Sequence, residues 1–325
     1  MVLQQWAQLG LALLFWACCA AGRVGVLAEA AQSAETERRR YEPRPQARTT
    51  TREHCEDIFT RKDESPAPWP PPREIPAHLL KGFTMNGRVP VVSKYIAEKQ
   101  NGGNGYVWSK QEIERTRADI RRKAYPRVGN SWLCYNKTVC AEALDKFSVA
   151  GQRGIVFGSQ KPWAEALLLE HGASSVFTYE YMAIETDHPQ LSAGTPSAVA
   201  TQYMDTPDFP RYDFGFSFSS FEHDGLGRYG DPLNPHGDVL SIAKAACLIK
   251  PGGLFFLGLP VGPDAVVFNA HRIYGRARLP LILSHFELLE MVGNYSISGA
   301  PVGTQTQPVL VLRNRRGRDK GRLRG

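Results

Sequence analysis

The chain has 325 residues, 42% of them hydrophobic and 22% charged, which excludes a disordered or fibrous protein and leaves enough sequence for a sizeable core. Its formal net charge is +7, but the last thirteen residues, RNRRGRDKGRLRG, hold six Arg and one Lys against one Asp, a net +6. The body is therefore close to neutral, no nucleic-acid partner is expected, and residues 314–325 read as a solvated basic tail.

Residues 9–22, LGLALLFWACCAAG, form an apolar run shorter than the roughly 20 residues a membrane-spanning helix needs. Small residues close it, as at a signal-peptidase site. A cleaved signal peptide over 1–22 ranks first, an uncleaved single-pass anchor making membrane contact second, and an organelle transit peptide third. Two sequons, Asn136-Lys137-Thr138 and Asn294-Tyr295-Ser296, agree with a secretory route and a glycoprotein. With Cys18 and Cys19 in the leader, four cysteines remain: Cys55, Cys134, Cys140 and Cys247. Cys134–Cys140 is the expected disulfide, and Cys247, on an apolar helical face, is expected to act as a small buried hydrophobe. No CxxC or zinc-finger spacing occurs, and no metal is expected.

Residues 23–75 are rich in Arg, Thr, Glu and Pro and poor in apolar residues, the composition of a disordered linker. An N-terminal helical extension over 76–150 follows. GFTMNGRVPVVSKYI can hold a short strand pair. Ser109 and Glu112 form a capping box for SKQEIERTRADIRRKAY, which Pro126 ends. NSWLCYNKTVCAEALDKF predicts a second helix.

From Arg153 the texture alternates strand and helix, which predicts a parallel sheet covered on both faces. GIVFG is a buried strand, Ser159-Gln160 can cap the next helix, Pro162 enters it and Gly172 ends it. SVFTYEY is the second strand, and Glu180 lies 22 residues beyond Gly158. That is the spacing at which nucleotide-binding βαβ units set an acid against ribose hydroxyls. The turn is GSQKPW rather than GxGxxG, so it fits a ribose ligand without pyrophosphate better than a dinucleotide. VATQYMD reads as a third strand ending at Asp205. RYDFGFSFSSFE alternates as a fourth, and the loop Phe221–Asp238 follows it. Asp238 is expected to cap VLSIAKAACLI, and Lys250-Pro251-Gly252-Gly253 to stop that helix. LFFLGLPVG is a buried strand, HFELLEMVG a helix, and YSISG with PVLVLRN a terminal antiparallel pair.

The passages GSQKPWAEALLLEHGASSVFTYEY, SSFEHDGLGRYGDPLNPHGD, KPGGLFFLGLPVGPD and NAHRIYGRARLPLIL resemble the proteins grouped as domain of unknown function 268, within the class I S-adenosylmethionine-dependent methyltransferases. The resemblance implies an α/β, Rossmann-like class I methyltransferase fold over 151–313: a mostly parallel, doubly wound sheet with a terminal antiparallel strand. It implies S-adenosyl-L-methionine as cofactor, with Gly158, Ser159, Glu180, Asp205 and Ser219 as its binding residues. Methyl transfer needs an aligned acceptor and often a base, and His223, Glu222, Asp224 and His271 are the catalytic candidates. Arg228, Tyr229, His236, Arg272 and Tyr274 are the candidates for binding a small-molecule or glycan acceptor. A metal-dependent hydrolase built on His223, Asp224 and His236, and a non-catalytic binding module, are the alternatives.

Overall fold

The computed structural model describes residues 51–60, 70–97, 105–122, 137–295 and 300–315. The expectations for residues 9–22, Asn136, Cys134, Pro126 and the basic tail lie outside them. Among the described residues no helix is long and apolar enough to cross a membrane.

The core is a seven-stranded sheet. In chain order its strands are β3 (Arg153–Phe157), β4 (Ser175–Tyr179), β6 (Leu191–Gly194), β7 (Tyr212–Phe218), β8 (Ile249–Gly258), β11 (Phe286–Val292) and β12 (Val309–Asn314). In space they lie in the order β11-β12-β8-β7-β3-β4-β6. β12 pairs antiparallel with both neighbours, and the other pairings are parallel. The Rossmann-like sheet with an antiparallel terminal strand is therefore present.

Alternation along each strand divides the interior into two layers. Ile155, Phe157, Phe255, Leu257, Leu310 and Leu312 face one core, and Val156, Phe214, Phe216, Phe256, Val309 and Val311 face the other. The first is covered by the helices α1 (Thr51–Thr60), α6 (Pro196–Asp205) and α7 (Gly237–Leu248). The second is covered by α3 (Lys110–Arg121), α4 (Lys137–Lys146) and α5 (Trp163–Glu170).

Local signals explain several ends. Ser109 Oγ accepts from Glu112 N at 3.1 Å and so caps α3. Gly172, at φ +85°, follows α5, and Ala173 N donates back to Leu168 O, closing the last turn.

Five expectations are corrected. VATQYMD is not a strand. Thr195 caps Ala198 N and Pro196 takes the first turn, so the segment is α6, and the third strand is instead β6. HFELLEMVG is not a helix: β11 pairs along β12, with a shift in register between Leu288 and Glu290. The segment expected as a strand pair, GFTMNGRVPVVSKYI, instead holds the last two residues of the helix α2 (Ala77–Phe83), a turn and one strand, β1 (Val91–Lys94). β1 pairs with β9 (Ala265–Asn269), which also pairs with β10 (His271–Ile273), so the N-terminal extension completes a small second sheet, and β2 (Tyr106–Trp108) pairs with β5 (Ile184–Thr186) in a third. Asp238 lies inside the first turn of α7 with its carboxylate turned to Arg278, and His236 holds the cap position. Finally, the 23–75 linker contains α1, whose Cys55, Ile58 and Phe59 are buried, and Cys55 is disulfide-bonded to Cys247. Cys247 is thus buried as a bonded half-cystine.

Candidate functional site

The sheet order reverses between β3 and β7: from β3 the chain winds outward through β4 and β6, then returns through β7 to β8. Open α/β sheets bind ligands outside the strand carboxyl ends at such a point. A cavity of about 1300 Å³ lies there, lined by the ends of β3, β4 and β7 and the loops that leave them.

One end of the cavity is built around Gly158. Its φ is +76°, and a Cβ there would clash with Ser220 on the neighbouring strand end, so the turn needs glycine on both counts. Glu180, at the end of β4, lines the cavity beside it. Its Oε2 accepts from Ser159 N at 2.9 Å, and its Oε1 from Tyr181 N at 2.7 Å and Met182 N at 3.4 Å. Burial raises its pKa, and these backbone donors oppose the rise.

Beneath the turn is a group that sequence reasoning missed. Glu165, fully buried on α5, contacts Thr178 Oγ1 at 2.8 Å and Ser159 Oγ at 3.1 Å. Burial pushes its pKa up to about 7. Ser159 Oγ also donates to Lys161 O at 2.9 Å, and a hydroxyl has one proton, so a protonated Glu165 satisfies the set by donating to Ser159. Ser159 therefore locks the turn rather than capping α5, whose N-cap is Pro162. An acid among WAEALLLE was the available signal.

The other end is the loop after β7. Ser219 adopts φ +57°, a strained conformation for a non-glycine residue. Its Oγ donates to Glu222 Oε1 at 2.6 Å. Glu222 is 1% exposed, its Oε2 has no hydrogen-bond partner among the described residues, and burial pushes its pKa up to about 7. His223 Nδ1 lies 2.7 Å from Ala270 O and must donate to it, which leaves Nε2 as the acceptor nitrogen. Nε2 is 3.7 Å from Glu222 Oε1. Burial, then the Arg228 charge, lowers the His223 pKa to about 3, so the ring is neutral at pH 7. Asp231 holds the loop's shape by accepting from Gly225 N, Gly227 N and Tyr229 N. Burial raises the pKa of Asp224, whose side chain bonds Ser241.

The structure thus gathers Glu222, His223, Asp224 and His271, Gly158, Ser159, Glu180 and Ser219, and Arg228 and Tyr229 around one cavity. Four candidates stand elsewhere. Asp205 is exposed at the end of α6, because its segment is helical. His236 is exposed at the start of α7. Arg272 and Tyr274 are fully buried behind the loop. Arg272 NH1 donates to Asp224 O at 2.5 Å and its NH2 to Asn234 O at 3.1 Å. Tyr274 OH donates to Asp238 Oδ2 at 3.0 Å, beside the Arg278–Asp238 ion pair at 2.5 Å. Burial alone would raise the Asp238 pKa, but Arg272 and Arg278 hold it at about 2. This cluster braces the loop from within and does not line the cavity. The metal alternative also loses its ligands, since among the described residues no three His, Cys, Asp or Glu side chains converge as a metal site.

The family model described as "Caenorhabditis protein of unknown function, DUF268" matches residues 151–308, which hold all of these cavity groups. No curated protein matches the chain. Solved structures with partial similarity to the chain include a Burkholderia thailandensis 1,6-didemethyltoxoflavin-N1-methyltransferase, with 1,6-didemethyltoxoflavin and S-adenosylhomocysteine bound. It is 14% identical, covers 69% of this chain and 93% of its own, and has a TM-score of 0.39. The N-methyltransferase NodS from Bradyrhizobium japonicum, with S-adenosylhomocysteine, is 13% identical over 63% and 97%, at TM-score 0.38. An S-adenosylmethionine-dependent methyltransferase from Mesorhizobium loti is 13% identical over 55% and 99%, at 0.32.

Proposed function

We propose that the domain over residues 151–313, which is similar to the DUF268 family, is an S-adenosylmethionine-dependent methyltransferase that acts on a small-molecule or glycan acceptor in the secretory pathway. The observation that carries this reading is the meeting, in one cavity at the sheet's switch point, of a ribose-type acid and a separate acid–imidazole pair. Glu180, beside the Gly158 turn, accepts from three backbone donors, and the lone pair left on Oε2 can accept one ribose hydroxyl. The turn is GSQKPW rather than GxGxxG, and its Ser159 N–H is taken by Glu180, which fits a nucleoside cofactor without pyrophosphate. When bound, S-adenosylmethionine supplies an electrophilic methyl group.

The chain's own residues divide the remaining work. Glu222, whose carboxyl is pushed to about 7 and whose Oε2 is unpartnered among the described residues, is matched to taking a proton from an acceptor hydroxyl or amine near neutral pH. His223, held neutral, offers Nε2 as a hydrogen-bond acceptor that aligns the same group. Proton removal therefore falls to Glu222 and orientation to His223. The buried Cys55–Cys247 disulfide supports an oxidising compartment.

S-adenosylhomocysteine at millimolar concentration is expected to raise the melting temperature, since it would bind the native state alone. Glu180→Gln is expected to weaken its affinity about tenfold or more through loss of one charged acceptor, while Glu222→Gln leaves affinity unchanged. No thermal shift in the wild type would remove the cofactor assignment. Binding without turnover on any acceptor would favour the non-catalytic binding module, which the single-glycine turn also fits.

A further inference from the structure

Two buried acids are joined by one residue. Ser159, in the turn after β3, donates its backbone N–H to Glu180 Oε2 at 2.9 Å, and its hydroxyl lies 3.1 Å from Glu165 Oε2. Glu180 lines the cavity, whereas Glu165 stands behind the turn on α5. All three residues are buried, so water does little to screen one carboxyl from the other. The Glu180 charge is accordingly among the causes that raise the Glu165 pKa, after burial.

The hydrogen bonds call for a proton on Glu165. The Ser159 hydroxyl has one proton, and Lys161 O, 2.9 Å away, can only accept it. Ser159 Oγ then accepts from Glu165, whose Oε1 accepts from Thr178 Oγ1 at 2.8 Å. An ionised Glu165 would instead draw the Ser159 proton away from Lys161 O and loosen the turn. It would also set a second negative charge beside Glu180, which favours a neutral Glu180. Both changes fall on Glu180 and its bond to Ser159.

The elements packed around α5 bring further charges, and these are engaged with other groups. From α3, Arg117 pairs with Glu114 and Glu170, and Arg121 with Glu170. Arg153, at the start of β3, lies over the Tyr212 ring. His171, past the far end of α5, is turned to Leu167 O and Asp145. Tyr106, on β2, feels the Glu180 charge, and burial, then that charge, raises its pKa, so it is neutral at pH 7.

We infer that Glu165 is a positioning residue for the nucleoside site: in its protonated form it holds Ser159, and through Ser159 the acid Glu180, in the arrangement that receives a ribose hydroxyl. This rests on the reading of Glu180 as the ribose acid and adds a control on its affinity by a proton outside the cavity. Burial places the loss of that proton at about pH 7, so the hold is present below this pH and is lost as pH rises through it. Burial raises the Glu180 pKa as well, which limits binding at the acid end.

The test is calorimetric titration of the full chain with S-adenosylhomocysteine from about pH 6 to about pH 8, on the wild type and on Glu165→Gln. The glutamine amide can donate to Ser159 and accept from Thr178 at every pH. Wild-type affinity is expected to fall about tenfold as pH rises across this range, and that of Glu165→Gln to stay level. The ligand's own titration is common to both proteins. The Ser159 amide signal, followed by NMR in protein with isotopically labelled serine and no ligand, should shift with a midpoint of about 7 in the wild type and stay fixed in the variant. A level wild-type affinity, an equal fall in the variant, or a Ser159 amide that does not titrate would overturn the inference. Failure of S-adenosylhomocysteine to bind the wild type at any pH, with the Ser159 amide titrating as expected, would sink the methyltransferase reading and leave the link from Glu165 to Glu180 standing.

Discussion

Reduction of the Cys55–Cys247 disulfide should destabilise the protein through its unfolded state. The two cysteines are 192 residues apart, joining α1 to α7, and both are fully buried. Closing so long a loop removes much of the entropy of the unfolded chain, and the chain-entropy relation gives about 5 kcal/mol at 25 °C for this length. Total stabilities run from about 5 to 15 kcal/mol, so the effect is large. α1 has 10 residues and cannot persist alone. Without the disulfide it is held by Ile58, Phe59 against Tyr203, and Arg52, which donates to the carbonyl of Thr206 at 3.0 Å.

The assay is urea unfolding followed by tryptophan fluorescence, on the oxidised protein, on the protein in reductant, and on Cys55→Ser/Cys247→Ser. With a denaturant slope of about 3 kcal/mol/M, the midpoint should fall by roughly 2 M in both treated samples. Far-UV circular dichroism should then show α1 lost while the sheet persists. Coincident curves for oxidised and reduced protein would refute the reasoning, as would alkylation of both cysteines in the unreduced protein.

Three further outcomes follow from the buried charges and the turn. Glu165 has a folded pKa of about 7, above its unfolded value of 4.5, so its contribution is fully present below pH 4.5 and is lost as pH rises through 7. The stability difference between wild type and Glu165→Gln should therefore move against the wild type by about 3 kcal/mol between pH 4.5 and 8, read by urea unfolding at each pH. Taking the difference removes the opposing slope of buried neutral His223. Gly158→Ala should cost about 1–3 kcal/mol from its positive φ alone and abolish S-adenosylhomocysteine binding. Adding Ser220→Gly should relieve the steric part, and full binding by the single variant would show that the turn needs no glycine. Asp238→Asn should destabilise by about 3–5 kcal/mol, because it strands two buried guanidiniums. A stable Asp238→Asn protein that loses only ligand binding would instead place that cluster in the site.

Most of the sheet was legible because its strands carry their own periodicity. Tyr212, Phe214, Phe216 and Phe218 alternate with small residues, and GIVFG and LFFLG are buried on both faces. The Gly158–Glu180 pair was legible because the turn and the acid lie one βαβ unit apart. Two elements misled for opposite reasons. In VATQYMD, apolar content outweighed Thr195 and Pro196, which cap and enter a helix. In FELLEMV, an irregular register along β12 hides the period of a strand.

The loop Phe221–Asp238 could be placed by the sequence, at the end of the fourth strand, but its side chains could not be sorted. Arg228 and Arg272 look alike in sequence. Only the tertiary structure puts one in the cavity and buries the other against Asp238 and the Asp224 and Asn234 carbonyls. The same holds for Lys94, which reaches the cavity because β1 pairs with β9 some 170 residues later in the chain, and for Cys55, whose partner lies 192 residues away. Hydrophobic period, caps and turns are written within a few residues of one another, so the chain itself specifies them. Which charge meets which, and which is withdrawn from water, depends on segments that meet only once the sheet has formed, and burial then decides the protonation of Glu165, Glu222 and His223.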